Sequence, residues 1–194
     1  MTTKTSGRRT RTIWFVAIGV LVALTMIFVL RAEGRLFFCS CNRFLVWVGD
    51  ICSSSNSQQL FDPFSFTHIL HGFLLFWLIS LLFRRRSPGW QVLLAVVSEA
   101  AWEVFENTPF VINRYRAETA ALGYEGDTIV NSFGDLLCAL VGFLIARRLG
   151  FWRSVIVFLV VEVILTFVIR DSLLLEILML IRPISAIKQW QMCH

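Results

Sequence analysis

Three short patterns hold the residue types from which chemistry is built. His68 and His71 stand three apart. Glu99, Glu103 and Glu106 follow at intervals of four and three, and Asp127, Asn131 and Asp135 at intervals of four. At about 100° per residue on a helix, each set stays on one stripe. Imidazole nitrogens and carboxylate oxygens are the ligands of catalytic divalent ions. A buried carboxylate beside like charges is also a ready proton acceptor. All three patterns lie in or beside long apolar runs. A charged side chain at the centre of a bilayer helix costs roughly 2.5–3.5 kcal/mol on insertion scales. These residues are therefore expected to face protein, water, protons or a cation rather than lipid. A helix end already in solvent would account for Glu106, but Glu99 lies about 10 Å deeper along the same helix.

The expected roles follow from these types. His68, His71, Glu103 and Asp135 form a candidate ligand set for a divalent metal ion, which would activate water or polarise a phosphoryl oxygen. Glu99 or Glu106 is the candidate general base. Asn131 shares the stripe of Asp135 and is a candidate binding residue. Arg114 and Arg116, in the connection facing these residues, suit an anionic head group. Plainer roles stand beside each. Two histidines in a helix serve as hydrogen-bonded structural groups, Asp127 caps a helix starting after Gly126, and the arginines pair with Glu106 or Glu118 or face solvent.

The elements that must position these groups are membrane spans. The chain has 194 residues, 57% of them hydrophobic, and a mean hydropathy of +0.71. The apolar excess sits in blocks of spanning length. Spans are expected at about 13–30, 64–83, 90–107, 127–146 and 154–170. The fold class expected is all-α, an integral membrane bundle of about five transmembrane helices. Residues 1–12 form a basic tail, and residues 172–194 an interfacial or re-entrant C-terminal helix. Phe44–Val48 is aromatic enough to lie at the membrane surface. The net charge of +5 comes from basic residues flanking apolar blocks, as topology signals do, and no nucleic-acid motif is present.

Dense basic runs at the N-terminus, Arg84–Arg86 and Arg147–Arg153 place those segments inside. The N-terminus is then cytoplasmic. The ionisable residues of the spans fall in the outer, periplasmic half, and the inner half is apolar. Cys39, Cys41, Cys52 and Cys193 land on the oxidising side, with Cys138 in a span. A link from Cys39 or Cys41 to Cys52 is expected, with the leftover thiol joined to Cys193. Pairing of Cys39 with Cys41 is the least expected.

Ser65–Gly72, Glu99–Asn107, Arg114–Arg116 and Gly126–Asp135, with Ile169–Asp171 and Ala186–Trp190, resemble an uncharacterised family of alphaproteobacterial multi-pass membrane proteins. The resemblance runs from Ser57 to Trp190 and implies a bacterial inner-membrane location without implying an activity. A weaker likeness, in the His, Glu and Asp-x-x-x-Asn arrangement, links the chain to VanZ-like membrane proteins, which are associated with glycopeptide-antibiotic tolerance.

Three functions compete on these grounds. One is metal-dependent hydrolysis or transfer on a lipid or lipid-linked substrate at the outer leaflet. Another is proton-coupled transport through the same carboxylates and histidines. The last is a non-catalytic envelope or assembly protein whose polar cluster locks helices together.

Overall fold

A computed structural model describes residues 3–119 and 123–192. Eight helices follow in order: α1 (Thr3–Ala32), α2 (Ser65–Leu82), α3 (Pro88–Glu106), α4 (Pro109–Glu118), α5 (Ile129–Leu149), α6 (Phe151–Val168), α7 (Leu173–Ile181) and α8 (Ser185–Gln191). The described residues contain no strand beyond an isolated bridge between Trp47 and Phe61. The protein is an all-α bundle.

Four segments are long and apolar enough to cross a membrane: Thr12–Ala32 of α1, and α2, α5 and α6. The sequence predicts five. The fifth, α3, carries Gln91, Glu99, Glu103 and Glu106, all buried. It hides these polar groups against α1, α2 and α5, the helices it packs on.

Backbone chemistry sets the breaks. Pro88 and Pro109 occupy first-turn positions of α3 and α4, where the missing N–H is harmless. Gly150 joins α5 directly to α6 at φ 77°, a conformation that favours glycine. The closest packing lies between α2 and α5. A Cβ at Gly72 would run into the Ala139 carbonyl, and one at Gly142 into the Ile69 carbonyl. Around this crossing Leu70, Phe73, Phe143 and Ala146 are almost fully buried. The Trp77 indole donates to Ser154 Oγ at 2.8 Å and ties α2 to α6. At the opposite end from the histidines, Arg147 donates to Gln91 Oε1 at 3.2 Å and joins α5 to α3.

The long connection between α1 and α2 docks on the start of α5. The amides of Thr128, Ile129 and Val130 donate to the carbonyls of Ser57, Leu36 and Phe37 at 2.9, 2.8 and 3.2 Å. These would otherwise be orphan donors of a helix start. Within the connection, Phe44 to Trp47 are exposed.

Four expectations are corrected. The N-cap of α5 is Thr128, whose hydroxyl accepts from Asn131 N at 3.3 Å; Asp127 is engaged elsewhere. Arg114 and Arg116 lie on α4 rather than in a loop, because Thr108-Pro109 restarts a helix as soon as α3 ends. The C-terminal region forms two short helices, since Pro183 falls between α7 and α8. Cys39 pairs with Cys41, the bend of the chain at Ser40 holding the two Cα atoms 5.1 Å apart, within the disulfide range. Cys52 is also disulfide-bonded, and Cys193 lies outside the described residues.

Candidate functional site

The helix stripes converge. On α2, the one-turn spacing of His68 and His71 sets their rings edge to face with centroids 4.8 Å apart. Both rings reach across to α3, where Glu99 Oε1 lies 2.8 Å from His68 Nδ1 and 3.0 Å from His71 Nδ1. One turn further along α3, Glu103 Oε1 stands 3.2 Å from His68 Nδ1. From α5, Asp135 Oδ2 lies 4.0 Å from His68 Nε2. His68 thus faces three carboxylates on two other helices. Trp102 packs edge-on against His71, with ring centroids 5.5 Å apart.

Burial makes this cluster chemically charged ground. Glu103 is fully buried, and Glu99 and Asp135 are nearly so. Among the described residues no hydrogen bond reaches Glu106 Oε2, Asp135 Oδ1 or either oxygen of Glu103, whose Oε1 has only the ion-pair contact with His68. A buried acceptor left unmade costs about 1–3 kcal/mol, more when charged. Two compact ligand sets occur among the described residues, His68–His71–Glu99 and His68–Glu103–Glu106. In each, one donor atom per residue lies within 4.8 Å of the others. Two imidazoles and several carboxylates match the donor chemistry of zinc or a similar first-row divalent ion.

A second network braces the cluster from outside. The Asn107 side chain donates to Asp127 Oδ2 at 2.9 Å and accepts from the Asp127 backbone N–H at 2.7 Å. Tyr124 OH donates to Asp127 Oδ1 at 3.0 Å. Burial pushes the Asp127 carboxyl above its ordinary range, and the Asn107 amide and Tyr124 hydroxyl hold it back. This network fixes the outer end of α3 to the start of α5. Asp62, before α2, is buried and accepts from the amides of Ser57, Phe64 and Ser65 at 2.6, 2.8 and 3.3 Å.

A cavity of about 1060 Å³ opens over this floor. His68, His71, Glu99, Glu106, Asn131 and Asp135 line it. Glu103 lies behind them. The other sequence candidates are placed differently. The Asn131 amide donates to the Gln59 carbonyl at 2.9 Å, holding the long connection over the site. Arg114 donates to the Leu180 carbonyl at 2.9 Å and to Glu118 Oε1 at 3.1 Å. Arg116 donates to the Tyr124 carbonyl. Neither arginine lines the cavity. Sequence reasoning missed Tyr115 and Glu176, which do line it, as does Asp171 at the outer end of the last expected span. Glu176 was hidden in a short apolar helix whose docking no local pattern announces. Tyr115 was visible between the two arginines but read as loop.

A family model described as "Protein of unknown function (DUF2585)" matches residues 30–193. The chain belongs to this family. Its similar relatives are alphaproteobacterial proteins called UPF0314. One from Rhizobium meliloti is 44% identical over 95% of this chain and 93% of its own. One from Agrobacterium fabrum is 42% identical over 96% and 94%. One from Sphingopyxis alaskensis is 38% identical over 95% and 97%. No solved structure matches. Every member of the His/Glu/Asp cluster falls inside the region that the DUF2585 family covers.

Proposed function

We propose that the protein is a multi-pass bacterial inner-membrane enzyme that hydrolyses or transfers a group on a lipid-linked substrate, using a divalent metal ion in a pocket open to the periplasm. Its N-terminus is on the cytoplasmic side in this reading, from the distribution of basic runs. The observation that carries the reading is the convergence of His68, His71, Glu99, Glu103 and Asp135 from three helices, with buried carboxylate oxygens that no hydrogen bond reaches among the described residues. His68, His71 and Glu99, with Glu103 and Asp135 beside them, would hold the ion, which supplies Lewis-acid polarisation of the attacked oxygen.

The remaining chemistry belongs to the chain. Glu106 is assigned as the base because it is a cavity residue whose Oε2 has no hydrogen-bond partner among the described residues, whereas Glu99 is engaged by both histidines. Glu106 takes the proton of a water as its oxygen bonds the electrophilic centre. The bond to the leaving oxygen breaks, and the same proton returns to that oxygen. Trp102 with Leu173, Ile177 and Leu180 of α7 supplies apolar wall to the cavity. Asn107 and Asp127 hold Glu106 in place through the end of α3.

One alternative has an observation in its favour. The satisfied Asn107–Asp127–Tyr124 network is the kind that locks helices, as in a non-catalytic assembly protein. Proton-coupled transport finds less support, because the α2–α5 crossing below His71 is apolar and in backbone contact. The test is metal analysis of purified protein together with the Glu106→Gln variant. Bound metal at about one ion per chain, retained in Glu106→Gln with the deletion phenotype uncorrected, is the expected result. No bound metal, or full correction by Glu106→Gln, would overturn the enzyme reading.

A further inference from the structure

The connection between α1 and α2 has two faces. One turns Ser40 and the run Cys52–Gln58 toward the cavity. The other carries Leu36–Phe38 and Phe44–Trp47, which, with Phe66 on the first turn of α2, are each 43–60% exposed. Their rings gather in pairs. Phe38 and Phe44 lie edge to face with centroids 6.0 Å apart, and so do Trp47 and Phe66. Apolar side chains scattered singly on a surface need no explanation, but a contiguous patch marks a face that meets something apolar.

The backbone beneath the patch identifies what it meets. Gln59, almost fully buried, accepts from the Leu45 amide at 2.7 Å and donates to the Arg43 carbonyl at 3.1 Å. The carbonyls of Leu45 and Val46 accept from the amides of Leu60 and Phe61 at 3.3 and 3.1 Å, and the Val48 amide donates to the Phe61 carbonyl at 3.0 Å. The carbonyls of Leu36 and Phe37 hold the first amides of α5. A loop in water needs none of these pairs, because water completes an exposed backbone. Backbone set against hydrocarbon must be satisfied within the protein. A protein partner could bring donors and acceptors of its own; lipid tails bring none.

The patch also continues a surface already fit for lipid. Leu21, Leu24 and Phe28 of the α1 span are more than half exposed, and the patch begins just beyond that helix. Arg31 and Arg43 stand exposed beside it, the Arg31 guanidinium 6.0 Å from the Phe37 ring centroid. Guanidinium groups in that place suit the phosphates of lipid head groups. We propose that Leu36–Phe38, Phe44–Trp47 and Phe66 form an aromatic plate seated in the surface of the bilayer that the spans cross, which holds the cavity mouth at the level of the lipid head groups. In the proposed orientation this surface is the outer leaflet. The inference needs α1 and α2 to cross the membrane, and needs neither the metal nor the base.

The experiment reconstitutes the full chain carrying Phe44→benzoylphenylalanine in vesicles of phosphatidylethanolamine and phosphatidylglycerol, irradiates it and reads the products by mass spectrometry. Chains heavier by one phospholipid are expected to outnumber chain-to-chain adducts by at least about tenfold, as for a side chain buried at the acyl boundary. Should this variant not fold, as read by its melting temperature, Trp47→benzoylphenylalanine serves in its place with the same expectation. Predominant chain-to-chain adducts would assign the plate to a second copy of the chain. Absence of adducts would leave it in water, as a face reserved for another protein would be. Either result overturns the plate. The readout involves no metal, so its failure leaves the enzyme reading standing, and absence of bound metal leaves the plate standing.

Discussion

His68 is the residue on which the cluster turns. It faces Glu99 and Glu103 through one nitrogen and Asp135 through the other. His68→Ala is expected to weaken zinc or manganese binding by more than the roughly 10–100-fold that follows loss of an outer partner, as read by titration with a competing chelator. Asn107 has a different part. Its side chain satisfies both the Asp127 backbone amide and the Asp127 carboxylate. Asn107→Ala leaves buried groups unpaired and is expected to cost about 1–3 kcal/mol, measured as a lower thermal midpoint with metal content intact. The residue types of the cluster were legible in the sequence, because acids and histidines inside apolar runs have few places to go. Their grouping around a single imidazole was not, since helix periodicity gives a stripe without saying which stripes meet. Nor did the sequence reveal that Arg114 and Arg116 bond backbone carbonyls.

Between elements, the decisive contact is the crossing of α2 and α5. Gly72 and Gly142 let two backbones touch, which brings His68 within reach of Asp135 one turn beyond. Gly72→Leu should force the helices apart, with an overpacking cost of about 1–3 kcal/mol. It should also lower metal affinity although it alters no ligand, which a chelator titration of the folded variant checks. The small residues were readable as sites of close approach. The identity of the opposing helix was not, because a glycine says that something comes near and not what. The helical restart at Pro109 follows a rule that operates one residue at a time, and the same proline reads equally well as the stop of α3. The grip of the long connection on α5 depends on carbonyls, which every residue has, and so leaves no trace in composition.

At the scale of the whole molecule, the mouth of the cavity sets the response to pH. Burial pushes the Asp171 carboxyl up from 3.8 to about 7, and the charge of Glu162 adds to this, while the Ser172 N–H and the Gln191 side chain oppose it. Glu162 on α6, Glu176 on α7, the neighbouring Arg170 and Gln191 on α8 are the polar groups around it. Between these two values the folded protein keeps a proton that the unfolded chain has released. Stability therefore falls as pH rises through that window, and the contribution is complete only at its acid end. Thermal melts in detergent at pH 5 and pH 8 should show the lower midpoint at pH 8, and Asp171→Asn should narrow the difference.

The three carbonyls that hold the first amides of α5 also order events in time. Leu36 leaves the ribosome about 90 residues before Ile129, a delay of roughly 5–18 s at 5–20 residues per second. For that interval the stretch after α1, periplasmic in the proposed orientation, has no seat. A chain truncated before residue 127 should have this stretch cut rapidly by a protease added to the outside of spheroplasts, whereas in the full-length chain the same stretch should be resistant. Insertion of the later helices, rather than emergence of the earlier ones, would then mark the moment at which a newborn copy becomes safe from degradation.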